Sequence, residues 1–299
     1  MSLEQYFDEC RHRVNGCIRS LLSAHDSASL RLTETMAYSA NNGGKRIRPI
    51  LVYAASHSLG GEQRQGDIPA CAIELMHTYS LIHDDLPAMD NDALRRGQPA
   101  NHKVYGDAMA ILAGDALQTL AFEVLSNTDL FPDFELSTGS RLSMVRILAK
   151  ASGYSGMAAG QAIDLEAVGL QLNQDALENM HAYKTGALIR ASVRLGGLAC
   201  VQQDDPRLDA LDNYAKAIGL AFQVQDDILD VTAETQTIGK PQGADAELNK
   251  PTYVSILGLD KAQSMAAFLC QSAVDALSEF DSRADYLREL ADFIIHRES

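Results

Sequence analysis

Two short acidic runs carry most of the chemistry in this chain. Asp84-Asp85-Leu86-Pro87-Ala88-Met89-Asp90 sets three carboxylates close together with Asp92 just beyond, and Asp226-Asp227-Ile228-Leu229-Asp230 sets three more. Asp226 and Asp230 are four residues apart, on one face of a helix, with Asp227 beside them. Pro87 does not fit inside a regular helix, so Asp90 is expected to reach back from a bend. An apolar run precedes each cluster, Tyr79-Ser80-Leu81-Ile82 before one and Ile218-Gly219-Leu220-Ala221-Phe222 before the other. Carboxylates at the end of a half-buried helix repel one another and oppose the negative end of the helix dipole. A hard cation relieves both conflicts. Mg2+ suits an oxygen-only set, because it takes few carboxylates and fills its shell with water and substrate phosphates. One such run is common on a solvated helix end. Two, each behind an apolar stripe, point to a site.

The bases gather in the same segments. Gly43-Gly44-Lys45-Arg46-Ile47-Arg48-Pro49 packs cations at the start of a helix, where they oppose its positive end unless an anion sits there with them. Arg95-Arg96-Gly97 closely follows Asp90, Lys184-Thr185-Gly186 interrupts a helical pattern, and Gln223, Lys240 and Lys250 flank the second acidic run. Each has a plainer reading alone: solvated bases after a turn, charge balance for Asp90 and Asp92, a mild kink. Together they describe a cage for diphosphate, with metal ions on the phosphate oxygens and Arg and Lys completing it. The apolar stripes behind the acids add a greasy lining, so diphosphates with hydrocarbon tails are the leading substrate class.

Helices must position these groups. The chain has 299 residues, 46% of them apolar and 22% charged, with only 8 Pro and no Trp, a composition that favours a globular all-α fold. The 3.6-residue pattern recurs over helices opening at Leu3, covering 36–39, starting near Pro49, and spanning 70–85, 108–125, 142–151, 175–198, 208–229, 253–280 and 286–295. The expected architecture is a single-domain bundle, residues 1–299, of roughly ten helices, with no sheet. A formal net charge of −15 argues against nucleic acid and against docking on anionic lipid. The scattered Cys10, Cys17, Cys71, Cys200 and Cys270 suggest reduced thiols in a cytoplasmic protein. No apolar stretch is expected to span a membrane, and the acidic N-terminus does not resemble a targeting signal.

The stretch from Leu81-Ile82-His83-Asp84-Asp85 through Leu94-Arg95-Arg96-Gly97 strongly resembles the first aspartate-rich motif of trans-isoprenyl diphosphate synthases. Gly114-Asp115-Ala116-Leu117, Lys184-Thr185-Gly186 and Gln223-Val224-Gln225-Asp226-Asp227-Ile228-Leu229-Asp230 are similar to that family's later motifs, in its order, over nearly the whole chain. The two-residue Pro-Ala insertion in the first motif is shared with the bacterial farnesyl diphosphate synthase group. The resemblance implies an all-α bundle around a central apolar cavity, with the acidic motifs facing each other across its mouth. It implies Mg2+, three ions per site, on Asp84, Asp85, Asp90, Asp226, Asp227 and Asp230. Arg95, Lys184, Thr185, Gln223, Lys240 and Lys250 would hold an allylic diphosphate, and Lys45, Arg48, His77 and Arg96 isopentenyl diphosphate. Asp84, Asp85, Asp90, Asp226, Asp227 and Lys184 become the catalytic set. A homodimer is also implied. The sequence departs from the family at Ala93 and at Asn249-Lys250-Pro251.

The implied activity is ionisation of the allylic diphosphate, attack by the isopentenyl double bond, and proton loss. Along α-helix 70–85, Tyr79 lies about 7.5 Å below Asp84 at the helical rise, so its ring and the neighbouring Ser80 are expected to set product length at fifteen carbons. Synthases of the ten- or twenty-carbon products are the alternatives within the family. A terpene cyclase would lack the second acidic motif, and a non-catalytic prenyltransferase subunit would have lost one. A metal phosphohydrolase built on His83-Asp84 would need further metal-binding His residues that the sequence does not offer.

Overall fold

The computed structural model describes residues 1–23, 28–131, 136–170, 172–232 and 251–297. Twelve α-helices of eight residues or more make up most of the described chain, with two short ones between them. In order they are α1 (Leu3–Leu22), α2 (Leu30–Ala40), α3 (Ile47–Ser58), α4 (Asp67–Asp84), α5 (Asn101–Tyr105), α6 (Asp107–Ser126), α7 (Thr138–Ser152), α8 (Met157–Ala167), α9 (Gln174–His181), α10 (Ala187–Leu198), α11 (Arg207–Thr232), α12 (Tyr253–Leu257), α13 (Leu259–Ala276) and α14 (Asp285–His296).

The architecture follows from which helices bury most of their surface. Ile68, Ala70, Cys71, Ala72, Ile73, Leu75 and Met76 of α4 are fully buried, and α10 is nearly as closed. These two therefore form the middle of the bundle. α4 packs on α6 and α3, while α10 packs on α3, α7 and α11. α11 carries α13 and α14 on its outer side. Because α4 and α11 are anchored along their length by buried apolar side chains, their acidic ends are held in fixed positions. Local signals fix the starts: Ser2 and Gln5 form a reciprocal cap on α1, and Pro69 stands in the first turn of α4, where its missing N–H costs nothing.

Three features depart from the expected pattern. The helix expected over 253–280 is two helices, parted at Gly258, whose φ of 84° is open to glycine and breaks the backbone ladder. Residues 157–167, left without an element by the sequence pattern, form α8. A small antiparallel pair exists where no sheet was expected: β1 (Leu94–Arg95) against β2 (Gln98–Pro99). Its two-residue turn, Arg96-Gly97, has φ of 54° and 76°, the left-handed pair that tight hairpins require. The expectation about membrane spans also needs amending. α6, with 20 residues, is long and apolar enough by composition, though in this fold it packs against α4 and α2.

Candidate active site

The first acidic wall is built by the end of α4. The helix stops at Asp84, Asp85 caps it, and Pro87 sends the chain round a bend. The Asp90 N–H then donates to the Asp84 carbonyl at 2.9 Å, returning Asp90 to the end of the helix as its spacing required. Asp84 is largely withdrawn from water. Burial pushes its carboxyl up to about 6, helped by Asp90 and Asp85 and opposed by Lys184 and Arg95. Asp85, 2% exposed, is also raised by burial, and the Arg95 guanidinium counters this. Arg95 donates to Asp85 from Nε at 2.8 Å and to Asp92 from Nη2 at 2.9 Å. The hairpin turn thus delivers Arg95 to the acids and turns Arg96 the other way, onto the Gly43 carbonyl at 2.5 Å. Gly44 makes that possible, since a Cβ there would lie 2.4 Å from the Arg96 guanidinium carbon.

Beside this wall is a basic cage. Arg48 Nη1 donates to His77 Nε2 at 3.3 Å. An arginine has only donors, so that imidazole nitrogen accepts. Burial, then Arg48, Arg96, Arg46 and Arg95, hold the His77 pKa well below its ordinary value, and the ring is neutral. Arg48 and Arg96 are both lowered by burial, and each feels another arginine. Arg48 Nε is buried with no hydrogen-bond partner. A half-buried guanidinium with an unmet donor, beside the exposed Arg96 and a neutral imidazole, is a site for a multivalent anion. Arg46 is the exception among these bases. Its side chain is buried on Glu74, the Ala40 carbonyl at 2.6 Å and Asn15 at 2.9 Å, so it supports the cage without facing it.

The second wall stands on α11. Asp227 accepts from Gln223 Nε2 at 3.1 Å and from the Tyr253 N–H at 2.8 Å, which ties the wall to the start of α12. Asp226 accepts from Arg297 Nη2 at 2.5 Å. Burial raises the Asp226 pKa, while Arg297, Lys45 and Arg48 pull it down. The same acid therefore faces the cage assembled around α3 and α4. Asp230 lies one turn on, half-buried. Between the walls is a π-helical turn, Ala182–Gly186, at the point where Lys184-Thr185-Gly186 was expected to disturb the helix. A π turn widens the backbone by one residue and re-aims what it carries. Lys184 Nζ reaches Asp164 Oδ2 at 2.5 Å and also acts on Asp84. Thr185 Oγ1 donates to Gln223 Oε1 at 3.3 Å. Asp164, His181, Lys184, Gln223, Asp227 and Thr252 line a cavity of about 120 Å³, and a smaller one of about 20 Å³, room for one water, lies behind Asp85, Arg95 and Asn101.

Below the first wall, Tyr79 is half-buried at the edge of the His83 ring, with centroids 5.4 Å apart. The Ser80 hydroxyl donates to the His77 carbonyl at 2.9 Å. His83 Nε2 lies 3.1 Å from the Ile111 carbonyl. It is a structural contact between α4 and α6, which leaves the phosphohydrolase reading without its metal-binding histidine. Lys240 and Lys250 lie outside the described residues.

Asp164 and Arg297 were missed. Asp164 is one of two acids in α8, with nothing local to single it out from Glu166; Arg297 has no local signal at all, since its partner is 71 residues away. The oxygen-only donors of the two walls fit a hard cation, and burial raises the pKa of both Asp84 and Asp226, a cost that such a cation would offset. Among the described residues no three acids or imidazoles converge on one point, so any such ion would be held from one wall with substrate oxygens completing its shell.

An all-α bundle with two acidic helix ends flanking a lysine turn and an arginine cage defines a class, the enzymes that handle prenyl diphosphates. The polyprenyl synthetase family model matches residues 30–288, and the chain belongs to that family of prenyltransferases. It is 49% identical to the farnesyl diphosphate synthase of Escherichia coli (strain K12), over 99% of each chain. Among solved structures it resembles a geranyltransferase from Legionella pneumophila, with a TM-score of 0.87 and 37% identity over 99% of this chain and 97% of that one. It also resembles the geranylgeranyl pyrophosphate synthetase of Pyrococcus horikoshii Ot3, with a TM-score of 0.87 and 30% identity over 99% of both.

Proposed function

We propose that the chain condenses isopentenyl diphosphate with dimethylallyl and then geranyl diphosphate, releasing farnesyl diphosphate. The observation that carries this reading is the position of Asp226, an acid of one wall that acts on Lys45 and Arg48 of the basic cage, so that two diphosphates can lie side by side. The full-length likeness to a farnesyl diphosphate synthase favours the fifteen-carbon product over the ten- and twenty-carbon ones.

In this reading Arg95, Lys184, Thr185 and Gln223, with Lys240 and Lys250, hold the allylic diphosphate between the walls. Asp84, Asp85, Asp90, Asp226, Asp227 and Asp230 would hold Mg2+, which would neutralise charge on the departing diphosphate. Lys184 hands its ammonium from Asp164 to that leaving group, stabilising charge that appears only as the C–O bond breaks. Lys45, Arg48, His77 and Arg96 hold isopentenyl diphosphate with its double bond toward the allylic cation. His77, being neutral, offers the anion a hydrogen bond through its other ring nitrogen without adding repulsion among the arginines. Held together, the two substrates react as one molecule, which removes much of the entropic barrier. The tail descends beside α4 toward Tyr79, and no side chain needs to act as a nucleophile.

We also assign residues 1–299 to one domain, place the protein in the cytoplasm, and infer a homodimer. Ile111, Leu112 and Leu142, exposed on adjoining α6 and α7, support the dimer. Sedimentation of the purified protein tests it, and incubation with both diphosphates and Mg2+ tests the activity.

A further inference from the structure

Arg297 is the most tightly held side chain at the second wall, and the reaction as derived gives it nothing to do. It follows α14 directly, and it is buried although it carries a full charge. Its Nη2 donates to Asp226 Oδ1 at 2.5 Å and to the Phe222 carbonyl at 3.2 Å, and its Nε donates to the Ile294 carbonyl at 3.2 Å. The guanidinium carbon lies 4.0 Å from the centroid of the Phe222 ring. Four interactions thus place one cation on the carboxyl that the proposed function assigns to Mg2+. The charges around it argue against a merely structural pair. Lys45 is the neighbouring cation, and its pKa is lowered by burial and then by Arg297. Replacing Arg297 at Asp226 by a metal-bridged diphosphate would therefore relieve a repulsion as well as break an ion pair.

The first wall offers a contrast. Its guanidinium, Arg95, comes from the same loop as its acids and sits ten residues from Asp85, so it can stay beside them while a diphosphate binds. Arg297 comes from another helix and closes over Asp226 from the α14 side. A cation in that place and a metal-bridged diphosphate need the same carboxyl oxygen.

We propose that Arg297 is an internal counter-ion for the second acidic wall: it occupies Asp226 while the site is empty, is displaced when Mg2+ and a diphosphate arrive, and so couples the last turn of α14 to occupancy of the site. This rests on the assignment of Asp226 to the metal. The displacement is an exchange of ion pairs, with no bond made or broken. The side chain moves away from Asp226 and Lys45 on loading and returns when product leaves. Competition of this kind also makes the empty wall selective, because a lone divalent ion must displace a four-contact arginine whereas an ion delivered with diphosphate brings compensating charge.

The test uses inorganic diphosphate as the probe, with the full chain, and reads binding and backbone exchange without catalysis. Calorimetry at a fixed diphosphate concentration gives the half-saturating Mg2+ for the wild type, Arg297→Gln, Arg297→Lys and Asp226→Asn. Amide hydrogen exchange over residues 290–297 is followed with and without Mg2+ and diphosphate. The expected result is a three- to tenfold lower half-saturating Mg2+ in Arg297→Gln, with Arg297→Lys in between. Exchange in the last turn of α14 should quicken on loading in the wild type and be fast and insensitive to loading in Arg297→Gln. Weaker Mg2+–diphosphate binding in Arg297→Gln would make Arg297 a direct ligand of the anion, and unchanged exchange on loading would make it a fixed strut; either overturns the proposal. If Asp226→Asn binds Mg2+–diphosphate as well as the wild type does, the metal assignment itself fails, a result separate from both.

Discussion

Burial disfavours the charged forms of Asp84 and Asp226, and a bound cation would offset that cost alongside the bases already near them. Asp84→Ala and Asp226→Ala should each lower turnover by several orders of magnitude, about 3–5 kcal/mol or more of barrier, as measured by product formed at saturating Mg2+. Metal-free stability gives a second check on Asp84. Its folded-state pKa of about 6 lies above the ordinary 3.8, so the folded form binds the proton more tightly. The penalty of the buried charge is absent below 3.8 and fully present above about 6. Thermal melts in chelator should therefore show Asp84→Asn stabilised at pH 7.5, by on the order of 2 kcal/mol, and level with the wild type at pH 4. At the cage, Arg48→Gln should weaken isopentenyl diphosphate by about 1.5–3 kcal/mol and leave the allylic substrate nearly unchanged, read as separate KM values. At this scale, residue type and spacing marked the acids assigned to both walls before the fold was known. Asp164 and Arg297 stayed hidden because each acts on a partner far away in sequence, and no local pattern marks such a pair.

Among the elements, the π turn between α9 and α10 and the α4–α6 pair determine what the site can do. Gly160 of α8 lies so close to the turn that a Cβ would approach the Lys184 nitrogen to 2.1 Å. Gly160→Ala must therefore push Lys184 away from the site. The expected outcome is a loss of kcat larger than any loss of fold, with circular dichroism unchanged. The α4–α6 pair holds Tyr79, and its ring meets the growing tail if the tail descends there. Tyr79→Ala should lengthen the product, and Ser80→Phe should shorten it to ten carbons, as resolved by chromatography of the dephosphorylated alcohols. Helical periodicity exposed the long helices to within a few residues and flagged the disturbance at Lys184-Thr185-Gly186. It missed α8, which is short and whose small and polar residues mark no clear apolar face. It also missed the β1–β2 hairpin, whose left-handed Arg96 is an unusual residue for such a turn.

For the whole molecule, an all-α bundle was legible because so few residues break helices and because helical periodicity recurs along almost the whole chain. What no single segment disclosed is how the bundle brings α3, α4, the π turn and α11 to one mouth. That requires tertiary packing, and here it places Lys184 between Asp84 and Asp164, and Asp226 within reach of Lys45 and Arg48. The central inference is that the two acidic walls and the basic cage form one site for joining two prenyl diphosphates. Its most direct test is incubation of the purified protein with Mg2+, dimethylallyl diphosphate and labelled isopentenyl diphosphate, followed by chain-length analysis. The prediction is Mg2+-dependent farnesyl diphosphate, formed through geranyl diphosphate and abolished by chelator. Diphosphate release without labelled product, or condensation that persists in Asp226→Ala, would contradict it.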